Sequence, residues 1–198
     1  MSDTKRTVEY FFDVGSPTAY LAWTQLPKIA AETGATIAWR PMLLGGVFKA
    51  TGNMSPFDSL RGIKNKPEYQ ALETQRFIRR HNATKFRPNP FFPVNTLMLM
   101  RGAVAAQLEG VFEPYFRAAY HHMWEEPKKM DDLETFRTAF ISSGVDIDRL
   151  LARAQQDDVK KGLIDRTTDA VNRGAFGSPT FFVGKEMFFG KDQLRDVE

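Results

Sequence analysis

The chain of 198 residues contains no cysteine. This absence excludes disulfide bonds, catalysis by a thiolate of the protein itself and zinc sites that use cysteine ligands. It also excludes a disulfide oxidoreductase that attacks with its own cysteine. Any thiol chemistry on this protein therefore needs a sulfur that another molecule supplies.

Long apolar runs are absent as well. No stretch approaches the roughly 18 consecutive apolar residues of a membrane span, and the N-terminal "MSDTKRTVEYFF" lacks the apolar core of a secretion signal. We therefore expect a cytoplasmic protein that does not bind membranes. The 27 Lys and Arg residues face 24 acidic residues, and the net charge of +3 is spread along the chain. This excess is too small for a nucleic-acid-binding face, although it favours small anionic ligands.

Histidine is scarce, with three residues in the chain. Two of them, His121 and His122, are adjacent and invite a metal site. Adjacent positions on a helix do not face one ligand point, and the pattern lacks the cysteine and acidic partners of a metal site. We therefore predict no metal ion here and assign both histidines to the surface or to an interface.

The chain begins with a strand–helix–strand pattern. "TVEYFFDV" (7–14) combines β-branched and aromatic residues and predicts a strand that is largely buried on both faces. Pro17 suits the first turn of a helix and Ser16 suits the cap before it. The helical spacing then continues without a break to a stop at Gly34. "TIAWRPMLL" (36–44) predicts a second strand, and the short connections favour a parallel, right-handed βαβ unit.

The remainder predicts helices followed by two strands. "GGVFKATGNMSPFDSL" (45–60) is expected to be mostly loop, and "KFRPNPFFPVN" (85–95) is expected to be irregular because of its three prolines. The segments between and after them have helical spacing. "TFFV" and "MFF" predict two strands joined by a tight turn at "GK", with a short helix starting at Lys191 or Asp192.

This order of elements predicts an α/β fold. We expect a thioredoxin-like domain, in which a βαβ unit and a later ββα unit are interrupted by a helical insertion domain. Residues 1–45 and 173–198 are predicted to form the thioredoxin-like domain. Residues 46–172 are predicted to form the all-helical insertion domain.

Ser16 stands where thioredoxin-like folds carry their reactive residue, at the start of the first helix. Unpaired backbone N–H groups and the helix dipole favour anions at this end. A free thiol has a pKa of about 8.5, and such a setting lowers it. A thiol bound there would be activated, and the Ser16 hydroxyl could hydrogen-bond its sulfur. A role for Ser16 as a helix cap is the plainer alternative and is compatible with this one.

Two motifs near the end of the sequence complete the predicted site. In "GAFGSPTFF", Pro179 is expected to be cis, with the backbone N–H and C=O of Ser178 offered to an extended, peptide-like ligand. In "FFGKDQL", Gly190 and Lys191 precede Asp192, whose carboxylate suits an ammonium group while nearby backbone amides suit a carboxylate. A thiol peptide with carboxylates and one amine is glutathione.

The motifs "DVGSPTAYLA", "GAFGSPTFF" and "FFGKDQL", in this order, resemble those of the 2-hydroxychromene-2-carboxylate isomerase family. That family is close to the kappa-class glutathione transferases. Both resemble bacterial disulfide oxidoreductases with a helical insertion, but with serine in place of the attacking cysteine. The resemblance covers nearly the whole chain. It implies a homodimeric, glutathione-dependent enzyme that interconverts 2-hydroxychromene-2-carboxylate and trans-o-hydroxybenzylidenepyruvate in naphthalene-type catabolism, with Ser16 stabilising the thiolate.

The resemblance also assigns residues outside the three motifs to glutathione or to the substrate. Near glutathione it places Asn53 and Lys66, with Lys64 as the competing lysine, and near the aromatic substrate it places Asn95 and Phe48 or Lys49. Plainer roles stay open for several of them. Asn53 is also suited to a left-handed turn, Lys66 to a solvated helix surface, and Asn95 and Asp192 to helix caps.

Two other functions remain open at this point. A kappa-like transferase would share the glutathione site but would join glutathione to electrophiles and consume it. A non-enzymatic module would bind peptides through the proline loop alone. Glutathione binding and net glutathione consumption therefore separate the three functions.

Overall fold

A four-stranded sheet forms the centre of the computed structural model, which describes residues 6–198. The strand order is β2-β1-β3-β4. Strand β1 (Thr7–Phe12) pairs in parallel with β2 (Thr36–Pro41) and antiparallel with β3 (Thr180–Val183). Strand β3 pairs antiparallel with β4 (Glu186–Phe189). The predicted parallel pairing of the first two strands and the terminal hairpin are confirmed.

Side chains of β1 alternate between two apolar clusters, one on each face of the sheet. Tyr10 and Phe12 belong to the larger cluster, where the Phe12 ring packs 4.9 Å from the Phe116 ring. Phe11 belongs to the second cluster and packs on Phe182. Burial of these three β1 side chains is complete, which confirms the predicted strand that is buried on both faces.

The first helical segment is broken in two, so the prediction of one unbroken helix is wrong. Helix α1 (Pro17–Trp23) ends before α2 (Leu26–Thr33) begins. Pro27 explains the break, because proline lacks the backbone N–H and its ring clashes with the carbonyl four residues earlier. Gly34 ends α2 with φ 69°, as predicted.

Two helices lie where a loop was predicted. They are α3 (Leu44–Thr51), which also takes the last residue of the predicted second strand, and α4 (Pro56–Ser59). The glycines of α3 disfavour a helix, but its packing outweighs this preference. Val47 is fully buried in the second cluster. A Cβ atom on Gly46 would lie only 3.1 Å from the Thr167 methyl group, so glycine allows the close approach of a later helix.

Seven further helices follow within the described part of the chain. They are α5 (Lys66–His81), α6 (Leu97–Leu108), α7 (Phe112–Trp124), α8 (Leu133–Ala139), α9 (Ile147–Arg153), α10 (Asp157–Asn172) and α11 (Leu194–Val197). A 3-10 turn (Lys191–Gln193) precedes α11, so the last helical segment begins at one of the two predicted residues. Residues 85–95 form neither helix nor strand, as predicted. Within residues 6–198, no helix is both long and apolar enough to cross a membrane.

Helices cover both faces of the sheet. The larger cluster joins one face to α1, α6 and α7, and the second cluster joins the other face to α3 and α10. The predicted insertion therefore supplies helices to both faces of the sheet. The division into two domains at residues 45 and 173 stays a prediction. The end of β1 lies between these layers and leads directly into α1.

Candidate active site

Ser16 is the N-cap residue of α1, with φ −87° and ψ 115°. Its Oγ accepts a hydrogen bond from the backbone N–H of Ala19 at 3.1 Å. This bond satisfies one of the N–H groups that the first turn leaves unpaired. Pro17 follows at a position where the missing N–H has no intrahelical partner to lose. The capping role of Ser16 is therefore confirmed.

Ser16 also contacts the proline loop, 162 residues away in the sequence. Its Oγ donates a hydrogen bond to the Ser178 carbonyl oxygen at 2.9 Å, and Thr18 Oγ1 donates to the same oxygen at 3.1 Å. The peptide bond between Ser178 and Pro179 is cis, as predicted. The first two motifs therefore meet at one place in the fold.

The hydroxyls of Ser16 and Thr18 make three hydrogen-bond contacts with each other and with the Ser178 carbonyl but have only two protons to donate. Ser16 Oγ and Thr18 Oγ1 lie 3.0 Å apart, in addition to their two contacts with the Ser178 carbonyl. Each hydroxyl has one proton to donate. One proton can therefore turn toward a new acceptor while the other hydroxyl still holds the carbonyl. The sequence reasoning missed Thr18, although a second hydroxyl in the first turn was a visible signal.

The backbone of Ser178 is only half available to a ligand. Its N–H makes no hydrogen bond to any residue from 6 to 198. Its C=O already accepts from Ser16 and Thr18, so the expectation that both groups are free is wrong for the carbonyl. The Ser178 side chain accepts from the backbone N–H of Asp13 at 3.1 Å, which fixes the proline loop to the end of β1.

Asp13 is a buried carboxylate just before the motif of Ser16, and the sequence reasoning did not select it. It accepts hydrogen bonds from the N–H groups of Gly15 and Leu44, both at 2.8 Å, and from the Thr96 hydroxyl at 2.9 Å. Burial raises the pKa of this carboxyl, and the three hydrogen bonds oppose the rise. Because its partners lead into α3 and α6, Asp13 fixes the turn before Ser16. An acid at the end of an apolar strand was the available signal.

The third motif joins the second through a backbone hydrogen bond. The N–H of Gly190 donates to the Pro179 carbonyl at 3.0 Å. Gly190 has φ 93°, a conformation that favours glycine. All three motifs therefore converge around the cis peptide bond, although they come from the two ends of the sequence.

Asp192 is paired with its neighbour in the chain. Lys191 Nζ lies 2.7 Å from both carboxylate oxygens of Asp192 and 4.7 Å above the ring of Phe77. The Lys191 side chain is buried, whereas 64% of the Asp192 side chain is exposed. The capping alternative for Asp192 is wrong, because Gly190 precedes the 3-10 turn and Gln193 precedes α11.

Asn53 links the loop after α3 to the proline loop. Its Nδ2 donates to the carbonyl of Phe176 at 2.8 Å, and its Oδ1 accepts from the N–H of Met54 at 2.8 Å. The left-handed residue of this turn is Gly52, with φ 69°, so the left-handed alternative for Asn53 is wrong. The Asn53 side chain thus supports the segment that leads to Ser178.

The structure gives Asn95 a local role. Its Oδ1 accepts from the N–H of Leu97 at 3.0 Å, and its own N–H points to Asp131 Oδ2 at 3.4 Å. Asn95 therefore hydrogen-bonds the first turn of α6, although Thr96 occupies the cap position. A contact with the substrate stays a prediction.

Four predicted residues make no side-chain hydrogen bond or ion pair to the three motifs within residues 6–198. Lys64 and Lys66 are exposed at the start of α5, Lys49 is exposed on α3, and Phe48 is half-buried on α3. Phe48 lies on α3, which ends just before Asn53, whereas Lys66 begins α5 and is separated from Asn53 by α4. Their roles stay predictions.

Comparisons with known proteins agree with this geometry. The sequence profile described as a DSBA-like thioredoxin domain matches residues 7–198. The 2-hydroxychromene-2-carboxylate isomerase of Sphingobium xenophagum is 30% identical over 98% of this chain and 96% of its own length. Glutathione S-transferase kappa 1 of Rattus norvegicus is 26% identical over 98% and 90%. A solved 2-hydroxychromene-2-carboxylate isomerase superposes with a TM-score of 0.79 at 27% identity, covering 96% of this chain and 92% of that chain. The predicted thioredoxin-like fold is confirmed.

Proposed function

Because the chain belongs to the DSBA-like thioredoxin domain family and to the 2-hydroxychromene-2-carboxylate isomerase family within that fold, we propose a glutathione-dependent isomerisation as its reaction. Isomerase activity follows from the family. The proposed reaction interconverts 2-hydroxychromene-2-carboxylate and trans-o-hydroxybenzylidenepyruvate, in the breakdown of naphthalene-type aromatics. The proposed cofactor is glutathione.

The observation that carries this proposal is the meeting of Ser16 and the Ser178–Pro179 peptide. A hydroxyl at the start of a helix lies 2.9 Å from the carbonyl before a cis proline. The free N–H of Ser178 is a backbone donor for an extended peptide. A sulfur placed between these groups would meet a hydroxyl donor and the N–H of Thr18, which has no hydrogen-bond partner among residues 6–198. The residues present therefore fit a thiol peptide.

Ser16 and Thr18 have different roles at the sulfur position, which is the place between Ser16 and the Ser178–Pro179 peptide where the glutathione sulfur would bind. Glutathione held here would supply a thiolate nucleophile: its addition to a conjugated carbon would move the double-bond electrons onto the keto group as an enolate and allow rotation, and its elimination would restore the double bond. Ser16 turns its proton from the Ser178 carbonyl to the sulfur, while Thr18 keeps its hydrogen bond to that carbonyl. A hydrogen bond to the charged form lowers the pKa of a thiol. Ser16 therefore stabilises the thiolate and does not attack the substrate.

Charged and amide side chains around this centre hold the rest of the peptide. Asp192 presents an exposed carboxylate to the amine of glutathione, and its pairing with Lys191 fixes its position. Gly190 keeps this pair next to the proline loop through its bond to Pro179. The remaining assignments follow the family. They are Asn53 and Lys66, or Lys64, for glutathione and Phe48, Lys49 and Asn95 for the aromatic keto acid.

A kappa-like glutathione transferase is the second candidate, favoured by 26% identity to the rat kappa enzyme over nearly the full chain. It would use the same sulfur position and release a conjugate. Net consumption of glutathione with chlorodinitrobenzene would support the transferase. Unchanged total glutathione during turnover of the chromene carboxylate would support the isomerase.

The assembly and location of the protein also belong to the proposal. We infer a homodimer in the cytoplasm that binds neither nucleic acid nor membranes. Large apolar side chains are exposed between α3 and the middle of α5, and a second copy would cover them. They are Met54, Phe57, Ile63, Tyr69 and Leu72. Light scattering is expected to give twice the mass of one chain, whereas the mass of one chain would contradict the dimer.

The decisive assay of the function compares isomerisation with and without glutathione. Turnover of 2-hydroxychromene-2-carboxylate is expected to require glutathione and to leave its total amount constant. Turnover that is equally fast without glutathione would reject it as the cofactor. If calorimetry showed no binding at millimolar glutathione, the peptide-binding alternative would replace the enzyme proposal.

A further inference from the structure

A cluster of two histidines and a glutamate lies at the end of α7. Ligand atoms of His121, His122 and Glu126 all lie within 4.8 Å of one another. The two imidazole rings are 4.7 Å apart at 73°, and Glu126 follows the helix, where its N–H bonds to the His121 carbonyl at 2.9 Å. We propose that these three side chains bind a divalent transition-metal ion, with Zn²⁺ as the best-suited ion. The two adjacent histidine rings therefore lie closer to each other and to Glu126 at this helix end than the argument from sequence spacing expects.

His122 provides an independent reason for a ligand at this place. Its Nδ1 is buried and has no hydrogen-bond partner among residues 6–198, and the residue is only 6% exposed. Buried polar atoms without a partner are rare and cost stability. A metal bond would satisfy the unpaired nitrogen.

His121 has the partner that metal-binding histidines usually have. Its Nδ1 lies 3.0 Å from Glu125 Oε2, and Glu125 Oε1 accepts the hydroxyl of Tyr20 at 2.9 Å. A carboxylate that accepts from one ring nitrogen leaves the other nitrogen with its lone pair toward the metal. That other nitrogen, Nε2, lies 3.4 Å from Glu126 Oε2. The first ligand and its carboxylate support are therefore already oriented.

The site can close around an ion and remain accessible. Nitrogen ligands at the usual zinc distance are about 3.3 Å apart in a tetrahedron, so ligand atoms that now lie within 4.8 Å of one another must move closer together on binding. The exposed side chain of Glu126 and the partly exposed His121 can make this movement. An open cavity of about 460 Å³ beside His121, His122 and Glu125 leads to solvent. Ser16 and Ser178 do not line this cavity, so the proposed metal site is separate from the sulfur position.

The ligand types select the ion. Two imidazoles and one carboxylate, with a fourth position open to water, are a common ligand set of Zn²⁺. Glu125 and Glu126 offset the charges of nearby Lys85 and Lys128. The site is therefore suited to a cation despite the basic neighbours.

Calorimetry with Zn²⁺ tests this site in the full chain after treatment with a chelator. We expect one Zn²⁺ ion per chain. The affinity should fall at least about 10-fold when a ligand is replaced, in His121→Ala and in Glu126→Gln. It should fall by a similar factor in Glu125→Gln, which removes the carboxylate that orients His121. His81→Gln removes the third histidine of the chain and is the matched control, with unchanged affinity. A visible spectrum of bound Co²⁺ should disappear in His121→Ala.

Other outcomes would overturn the proposal. They are the absence of saturable Zn²⁺ binding, full affinity in His121→Ala or in Glu126→Gln, or loss of binding in His81→Gln. Glu126 is exposed, so its replacement leaves the fold intact and keeps the test valid. Circular dichroism of each variant checks this point.

Discussion

Ser16 combines a structural bond with the proposed chemical role, and Ser16→Ala separates the two. The variant loses the cap bond to Ala19, which costs about 1 kcal/mol in the free energy of unfolding. Loss of a hydrogen bond to a charged sulfur is worth about 1.5–3 kcal/mol. We therefore expect kcat/KM for the isomerisation to fall roughly 10- to 100-fold. Enzyme kinetics and urea unfolding measure the two effects.

Ser55 provides the matched control for this variant. It caps α4 by accepting from the N–H of Phe57 and precedes Pro56, just as Ser16 precedes Pro17. Ser55→Ala should lose a similar amount of stability and keep its turnover. If both variants retained full turnover, Ser16 would have no part in the mechanism.

Asp192 is expected to act through charge. Asp192→Asn keeps the size of the side chain but removes the negative charge that is proposed to bind the amine of glutathione. We expect the dissociation constant of glutathione to rise about 10-fold, equivalent to about 1.4 kcal/mol. Calorimetry measures it, with Asp196→Asn on α11 as control, since Asp196 pairs only with the exposed Arg195 within the described chain. Equal affinities of wild type and Asp192→Asn would remove Asp192 from the glutathione site.

Asp13 gives the protein a predictable dependence on pH. Burial raises the pKa of its carboxyl above the unfolded value of about 3.9. Folding therefore favours the protonated form of Asp13. The contribution of Asp13 to the free energy of unfolding is complete at low pH and is lost as the pH rises through the pKa of the folded protein. The stability of wild type minus that of Asp13→Asn should fall over this interval, by at most about 1.4 kcal/mol per pH unit. Urea unfolding at several pH values measures the difference, and a constant or rising difference would contradict the shift.

The limits of sequence reasoning are visible at these positions. Ser16, Pro179 and Gly190 could be selected because proline, glycine and a cap serine leave local patterns. Asp13 and Thr18 act through partners that are distant in the chain, such as Thr96 and Ser178. No local pattern gives the identity of such partners. The carbonyl of Ser178 was expected to be free because its partners, Ser16 and Thr18, are also distant in the chain.

The same limit explains the helices that were predicted wrongly. The break between α1 and α2 was predictable, because Pro27 cannot continue the preceding turn, but the apolar spacing hid it. Helix α3 was not predictable from its glycines, since its stability comes from burial of Val47 against a different part of the chain. Packing outweighs a weak local preference.

The two adjacent glycines of α3 test this explanation. Gly45→Ala has open space around its new Cβ and should stabilise the protein by about 0.5–1 kcal/mol. In Gly46→Ala the new Cβ meets Thr167 at 3.1 Å, and such crowding costs about 1–3 kcal/mol. Urea unfolding should therefore find Gly46→Ala less stable than Gly45→Ala by about 1 kcal/mol or more. Equal stabilities would mean that α3 does not pack tightly on α10.

The overall fold was more predictable than its details. Strand patterns at both ends of the sequence and helices between them permit few arrangements, because β-strands must pair and cover their faces. The order β2-β1-β3-β4 then brings the start of α1 next to the loop before β3. The convergence of three distant motifs on one peptide bond is a property of the complete fold. In the proposed function, this convergence would give a bound sulfur a defined environment that no single segment provides.

The pKa of the thiol of bound glutathione tests the central claim most directly. Thiolate absorbance in the ultraviolet, recorded as a difference spectrum against pH, gives this pKa in wild type and in Ser16→Ala. We predict a pKa below the value of about 8.5 for a free thiol in the wild-type complex, and a shift back toward that value in Ser16→Ala. An unshifted thiol in the wild-type complex would contradict the proposed activation at the start of α1.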